Sequence, residues 1–154
     1  MKPVRRLATA VVVLAVSTVG RAAEKKISRA DLPPAVEQTV AAESKGATIR
    51  GYSSEVEEGV LRYEVAMTIG GRARDVSIAP DGRVLEIEEE IAWDALPTAV
   101  RQGLEKAAEG AKIAKVESLT KEGKLVAYEA QVIAGSKRSE VQVGPEGKPV
   151  GHKQ

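Results

Sequence analysis

The sequence predicts an α+β fold of two tandem repeats, each one helix followed by a three- to four-stranded antiparallel sheet, with the helices packed on one sheet face. Three observations carry this. A passage running from Leu61 to Ile69, through Gly70-Gly71 and Asp75-Val76-Ser77-Ile78 to Pro80-Asp81-Gly82, comes back as Leu125, Tyr128-Glu129, Gly135-Ser136, Glu140 to Val143 and Pro145-Glu146-Gly147. The correspondence holds at an offset of 64 from Ile27, matched by Ile91, to Leu61, matched by Leu125, and slips to 65 just ahead of Tyr128. A fixed period with one inserted residue near a turn marks a duplication. Each copy also passes from a four-residue to a two-residue hydrophobic period, the change from helix to strand.

The first segment reads as a leader. Met1 to Ala22 has a basic start (Lys2, Arg5, Arg6), an apolar run of 13 residues from Leu7 to Val19, and small residues at Gly20 and Ala22, the three parts of a secretory signal. A membrane span needs roughly 20 apolar residues, so the run predicts cleavage after Ala22 and no membrane anchor afterwards. The expected location is periplasmic or secreted. The expected organisation is 1–22 signal peptide, 23–90 first repeat and 91–154 second repeat.

Each repeat opens with a helix. Pro33 and Pro97 suit a first helical turn, with Asp31 and Asp94 as nearby caps, and Leu32, Val36 and Val40, matched by Leu96, Val100 and Leu104, form one apolar stripe. Gly46 and Gly110 end the helices. Helices of about 12–13 residues are too short to stand alone in water, so the stripes must pack on something. Strands supply the surface: Leu61, Tyr63, Val65, Met67 and Ile69 alternate with Arg62, Glu64, Ala66 and Thr68, and Tyr128, Ala130, Val132 and Ala134 do the same in the second copy. Further strands are expected at Ala47–Ser54, Ala111–Leu119, Leu85–Glu88 and across Val141 and Val143. A copy of about 60 residues would bury only ~60% of its chain surface, so the two are expected to share a continuous sheet or a joint core.

Composition excludes several functions. The chain has 154 residues, 43% apolar and 29% charged, ordinary for a folded protein. Without Lys2, Arg5, Arg6 and Arg21, 19 basic residues face 22 acidic ones, a net charge of −3. With no basic run, three tyrosines and one tryptophan, nucleic acid is a poor partner. No cysteine is present, which removes disulfides, thiolate metal sites and a cysteine nucleophile. The one histidine, His152, sits in the C-terminal tail, so neither a hydrolytic triad nor a zinc site can be assembled around it. The sequence therefore predicts no catalytic residue, no metal ligand, no cofactor and no enzyme.

Glu86, Glu88 and Glu90 share one strand face roughly 7 Å apart. They read first as a solvated face whose charges discourage edge pairing; a small-ligand or metal-ion sensing protein of the envelope is the alternative they would serve. Asp81-Gly82 and Glu146-Gly147 read as hairpin turns. Trp93 matches Arg29 in the other copy and so stands outside the repeated core; it is either an exposed binding anchor or a plug between the copies.

The order Leu-Pro-x-Ala-Val on a helix, Glu-Gly before a strand, Tyr63-Glu64-Val65 (Tyr128-Glu129-Ala130 in the second copy) and a Pro-Asp-Gly turn resembles the PepSY-like, or beta-lactamase-inhibitor-like, family of exported bacterial proteins, over Ile27 to about Val150 as two copies. The resemblance implies a helix on a small antiparallel sheet in each copy and a non-catalytic exported protein that binds a protein or peptide, with peptidase inhibition or regulation as the activity to expect. The binding surface is expected on the sheet face turned away from the helices, lined by Arg62, Glu64, Thr68, Asp75, Ser77, Glu129, Gln131, Glu140 and Gln142, or in the groove between the copies, with Trp93 as a separate anchor.

Overall fold

The computed structural model describes residues 24–57 and 59–150. The expected signal peptide at 1–22 and the tail residue His152 lie outside the described residues. The elements in order are β1 (Lys25–Ile27), α1 (Pro34–Glu43), β2 (Thr48–Glu57), β3 (Val60–Ile69), β4 (Arg72–Ile78), β5 (Val84–Glu90), α2 (Thr98–Ala108), β6 (Lys112–Lys121), β7 (Lys124–Ala134) and β8 (Lys137–Val143). The eight strands form one sheet in chain order, every neighbour antiparallel.

The expected α+β pair of tandem helix-plus-sheet repeats is thereby corrected. The molecule is mostly β, a single eight-stranded antiparallel sheet with two helices. The decisive contact is between β5 and β6, where Glu86 lies opposite Lys121 and the register runs through to Glu90 opposite Glu117. Two separate sheets would leave the facing edges of β5 and β6 with rows of unpaired N–H and C=O groups; pairing them satisfies both. The glutamates of β5 do not prevent this, because their side chains project from the sheet faces while the edge is a backbone feature.

The helices are shorter than expected, at 10 and 11 residues. Pro33 and Pro97 occupy the N-cap positions, not the first turn, and Asp31 and Asp94 sit one step earlier, in 3-10 turns at Arg29–Asp31 and Trp93–Ala95. Asp31 closes its own turn, its Oδ2 accepting hydrogen bonds from Ser28 N and Oγ at 2.8 and 2.7 Å, which hold its carboxyl below the ordinary range.

Both helices lie on one side of the sheet. Leu32, Val36 and Val40 pack on Val65, Met67, Val76 and Ile78. Leu96, Val100, Leu104 and Ala108 pack on Val116, Tyr128, Ala130, Val132 and Val143. Each buried Val or Leu contributes ~1.5–3 kcal/mol relative to exposure, so the four-residue stripes fix which helix face meets the sheet. Polar contacts refine the seat. Arg74 of β4 donates to the carbonyl oxygen of Glu43 at 2.9 Å and to its carboxylate at 2.7 Å, at the end of α1. Its Nε lies 2.9 Å from Glu89 Oε1, yet it finds no hydrogen-bond partner, so this contact is electrostatic without hydrogen-bond alignment. Arg74→Met keeps the stem and removes these contacts. It is expected to lower stability by ~1 kcal/mol in urea unfolding, the net value of a charged hydrogen bond offset by easier burial of the methionine.

Candidate functional site

The face turned away from the helices follows from strand periodicity. With Val65, Met67, Val76 and Ile78 directed at α1, the alternate residues Glu64, Ala66, Asp75 and Ser77 project to the other side. The register carries this face across the sheet. One row runs Ser53, Glu64, Ser77, Glu86, Lys121, and the next runs Gly51, Ala66, Asp75, Glu88, Leu119, Ala127. A third runs Thr68, Ala73, Glu90, Glu117, Glu129, Gln142. Lys115, Gln131 and Glu140 continue it at the β8 side.

Six of the expected binding residues, Arg62, Glu64, Thr68, Glu129, Gln131 and Glu140, thus share one face. Glu64, Glu129 and Gln131 are half-buried among neighbouring side chains, whereas Glu140 is exposed. Trp93 is not with them: it lies on the helix side, packed against the core under α2.

The electrostatics of this face centre on carboxylates missed as a group in the sequence, because three strands contribute them. Asp75, Glu88 and Glu117 each place a carboxylate oxygen within 4.8 Å of the others. Arg50 answers Asp75 at 3.1 Å, Lys115 answers Glu117 at 2.6 Å, and Lys121 answers Glu86 at 2.9 Å. Glu129 accepts a short hydrogen bond from Gln142 Nε2. Glu88 is pushed up to about 8, first by burial, then by the charges of Glu86, Glu117 and Glu129 and a side-chain hydrogen bond with Glu86. It therefore holds a proton at neutral pH.

Burial also raises Asp75 against the opposing pull of Arg50, and raises Glu129 against its bond from Gln142. At Lys115 burial acts downward, but the hydrogen bond and charge of Glu117, with Asp75 and Glu90, outweigh it and lift the ammonium. Glu117 is only 5% exposed. The only signal for it in the sequence is a break in alternation at Val116-Glu117-Ser118-Leu119, all four of which are buried.

Calcium takes six to eight oxygens, a number that three carboxyls reach only if each binds through both of its oxygens. Two of them are already answered by cations, Asp75 by Arg50 and Glu117 by Lys115, so a charge-balanced polar centre describes the cluster better than an ion cage. The run Glu86, Glu88, Glu90 is also divided: Glu86 touches Glu88 but pairs with Lys121, Glu90 accepts from Ala73 N at 3.2 Å, and only Glu88 joins the trio.

A second feature is a groove of about 530 Å³ at the free edge of β6, between the segment leaving β5, α2 and the start of β6, with Trp93 in its helix-side wall and Glu90 and Lys115 at its other rim. Among the described residues no helix is long and apolar enough to cross a membrane.

No family model matches the chain, and no curated protein matches it. Solved structures do. A BLIP-like protein from Bacteroides fragilis NCTC 9343 aligns over 79% of this chain and 85% of its own, at 21% identity and a TM-score of 0.59. A protein from Bacteroides eggerthii DSM 20697 described as periplasmic aligns over 77% and 86%, at 15% identity and 0.63. A DUF2874-family protein from Bacteroides ovatus ATCC 8483 aligns over 79% and 86%, at 16% identity and 0.61. At these identities the likeness is one of fold, and the fold of this chain is that of the BLIP-like and DUF2874 proteins.

Proposed function

We propose that the chain is an exported, non-catalytic module that binds a protein or peptide on the open face of its sheet, with an envelope peptidase as the first class of partner to test. The carrying observation is the asymmetry of the sheet: both helices cover one face, while the other presents half-buried polar side chains in ordered rows, including Arg62, Glu64, Thr68, Glu129 and Gln131. Packed neighbours restrain such side chains, so a partner meets a surface already ordered, with less entropy to lose. The fold likeness to a BLIP-like protein and to a protein described as periplasmic supports the same role and place. In this reading residues 1–22 are removed on export, and the PepSY-like sequence halves 23–90 and 91–154 act together through the one sheet.

The test is position-specific. A photo-crosslinking residue at Thr68 or Gln131 is expected to trap a discrete partner in the envelope, whereas one at Lys106 on the outer side of α2 traps none. Combined Glu64→Ala and Glu129→Ala substitution is expected to weaken capture about tenfold, the scale of losing one or two polar interface contacts. Equal trapping from Lys106, or capture untouched by the double variant, would exclude the open face as the binding surface.

A further inference from the structure

Strand β6 has two halves with different surroundings. Glu117 to Lys121 lies between β5 and β7, but Lys112 to Lys115 is paired with β7 alone, because β5 ends at Glu90 and the chain turns away through Ile91, whose N–H reaches Val116 O at 2.9 Å. The gap left by β5 shows on its other side as well. The N–H of Ala73 on β4 is answered there by the side chain of Glu90 at 3.2 Å rather than by a strand.

The open stretch of β6 also carries a bulge at Ala114, between Ile113 opposite Val132 and Lys115 opposite Gln131, and Ala114 is exposed. Bulges are frequent at sheet edges and beside functional sites, where they re-aim a side chain or end the pairing. The 530 Å³ groove runs along this stretch, from Ala111 to Val116, with Ile91, Trp93 and Glu105 opposite. That volume is in the range of ligand clefts.

We infer that this groove receives an extended peptide segment of a partner, which adds to the open edge of β6 as a strand and alternates apolar with basic side chains. An extended chain supplies the backbone donors and acceptors that the edge lacks, and alternate side chains read the groove walls. The apolar side chains meet Ile91, Trp93 and Ile113. The basic ones, which point to the opposite sheet face, meet Glu90, because the one cation in the groove wall, Lys115, is already held by Glu117 at 2.6 Å. The outer edge of β8 is a poorer site, because its end is closed by the bridge from Val143 to Pro149. The groove is built on the free edge of β6 and its apolar wall lies on the helix side, so this site is a strand edge, not the open face, and goes beyond the open-face proposal.

Trp93 is the only tryptophan in the chain, which makes its emission a reporter of this groove. The probe is a short end-capped peptide alternating leucine with lysine, compared with the same peptide N-methylated at alternate amides and with one alternating leucine with glutamate. The lysine peptide is expected to shift Trp93 emission saturably and to slow amide exchange at Lys112–Lys115. The N-methylated and glutamate peptides are expected to bind about tenfold more weakly or worse, the scale of one or two lost hydrogen bonds or ion pairs. Glu90→Gln, which keeps an oxygen for Ala73 N but loses the charge, is expected to shrink the preference for lysine over glutamate, while Glu64→Ala leaves it unchanged. Silence of Trp93 with every peptide, equal binding of the N-methylated peptide, or an unaltered charge preference in Glu90→Gln would overturn the inference.

Discussion

Gly147→Ala is expected to lower the unfolding free energy by ~3–4 kcal/mol, while Gly135→Ala lowers it by only ~1 kcal/mol. Both glycines have positive φ, +73° and +61°, so an alanine at either carries the backbone cost of the left-handed region. They differ in what a methyl group would meet. At Gly135 nothing lies within 4 Å, whereas at Gly147 an added Cβ would stand 2.0 Å from the carbonyl oxygen of Ala99, 2.5 Å from its carbon and 3.1 Å from Val100 N. These are backbone atoms of α2, and no rotamer change relieves the overlap, so the turn after β8 has to lift from the helix.

The seat is tight from the other side as well, since a Cβ at Gly103 would stand 2.1 Å from the carbonyl oxygen of Gly147. Lifting this turn would also loosen Val143, a fully buried member of the core under α2, just before it. The turn after β4 makes a comparable contact with α1: a Cβ at Gly82 would come within 2.7 Å of Ala35 O, and Thr39 Oγ1 donates to Gly82 O at 2.6 Å. Urea midpoints of the two alanine variants decide the matter. Equal losses would show that only the backbone conformation matters and that the contact with α2 is not a seat.

The glycines illustrate what was legible in the sequence. Asp81-Gly82 and Glu146-Gly147 were readable as turns because the residue pair demands positive φ, but their docking on the helices was not, because it depends on a backbone approach that no side-chain pattern encodes. Strand alternation located both helix-facing cores, Val65 with Met67 and Ala130 with Val132, for the opposite reason: side-chain polarity reports burial directly. Alternation also put Arg62, Glu64, Thr68, Glu129, Gln131 and Glu140 on one face.

The small size of each copy called for a shared sheet or joint core, and the sheet is continuous, but alternation could not show which edges join. The joint is a backbone edge, and the glutamates of β5, which read as a deterrent to pairing, turned out to be face residues on an interior strand, with Lys121 across from Glu86. The carboxyl cluster was missed for the same reason. Asp75, Glu88 and Glu117 are dispersed in sequence and meet only once β4, β5 and β6 are neighbours. β1 is three residues long and leaves too short a pattern to read.

The buried position of Glu88 makes a distinct prediction about pH. Its ordinary value is 4.5 and the folded protein raises it to about 8, so between these values the folded state holds a proton that the unfolded chain has released. Where the folded state binds more protons, stability falls as pH rises. The contribution is therefore complete below 4.5, declines through the window from 4.5 to 8, and is gone above it. Taken at face value this displacement corresponds to ~5 kcal/mol, but water reaching the partly exposed carboxyl screens it, and a loss of about 2 kcal/mol between pH 5 and pH 9 is expected. Asp75 and Glu129, also raised by burial, add slopes of the same sign nearer their ordinary values.

Glu88→Gln isolates the effect, because the amide keeps the shape and can donate to Glu86 as the protonated acid does, yet does not ionise. The variant is expected to match the parent protein near pH 5 and to exceed it by about 2 kcal/mol at pH 9, its stability falling less steeply between. Parallel curves for the two proteins across that range would mean that Glu88 ionises as readily folded as unfolded. The carboxyl cluster would then be solvated, and the centre of the open face would carry its full negative charge at neutral pH.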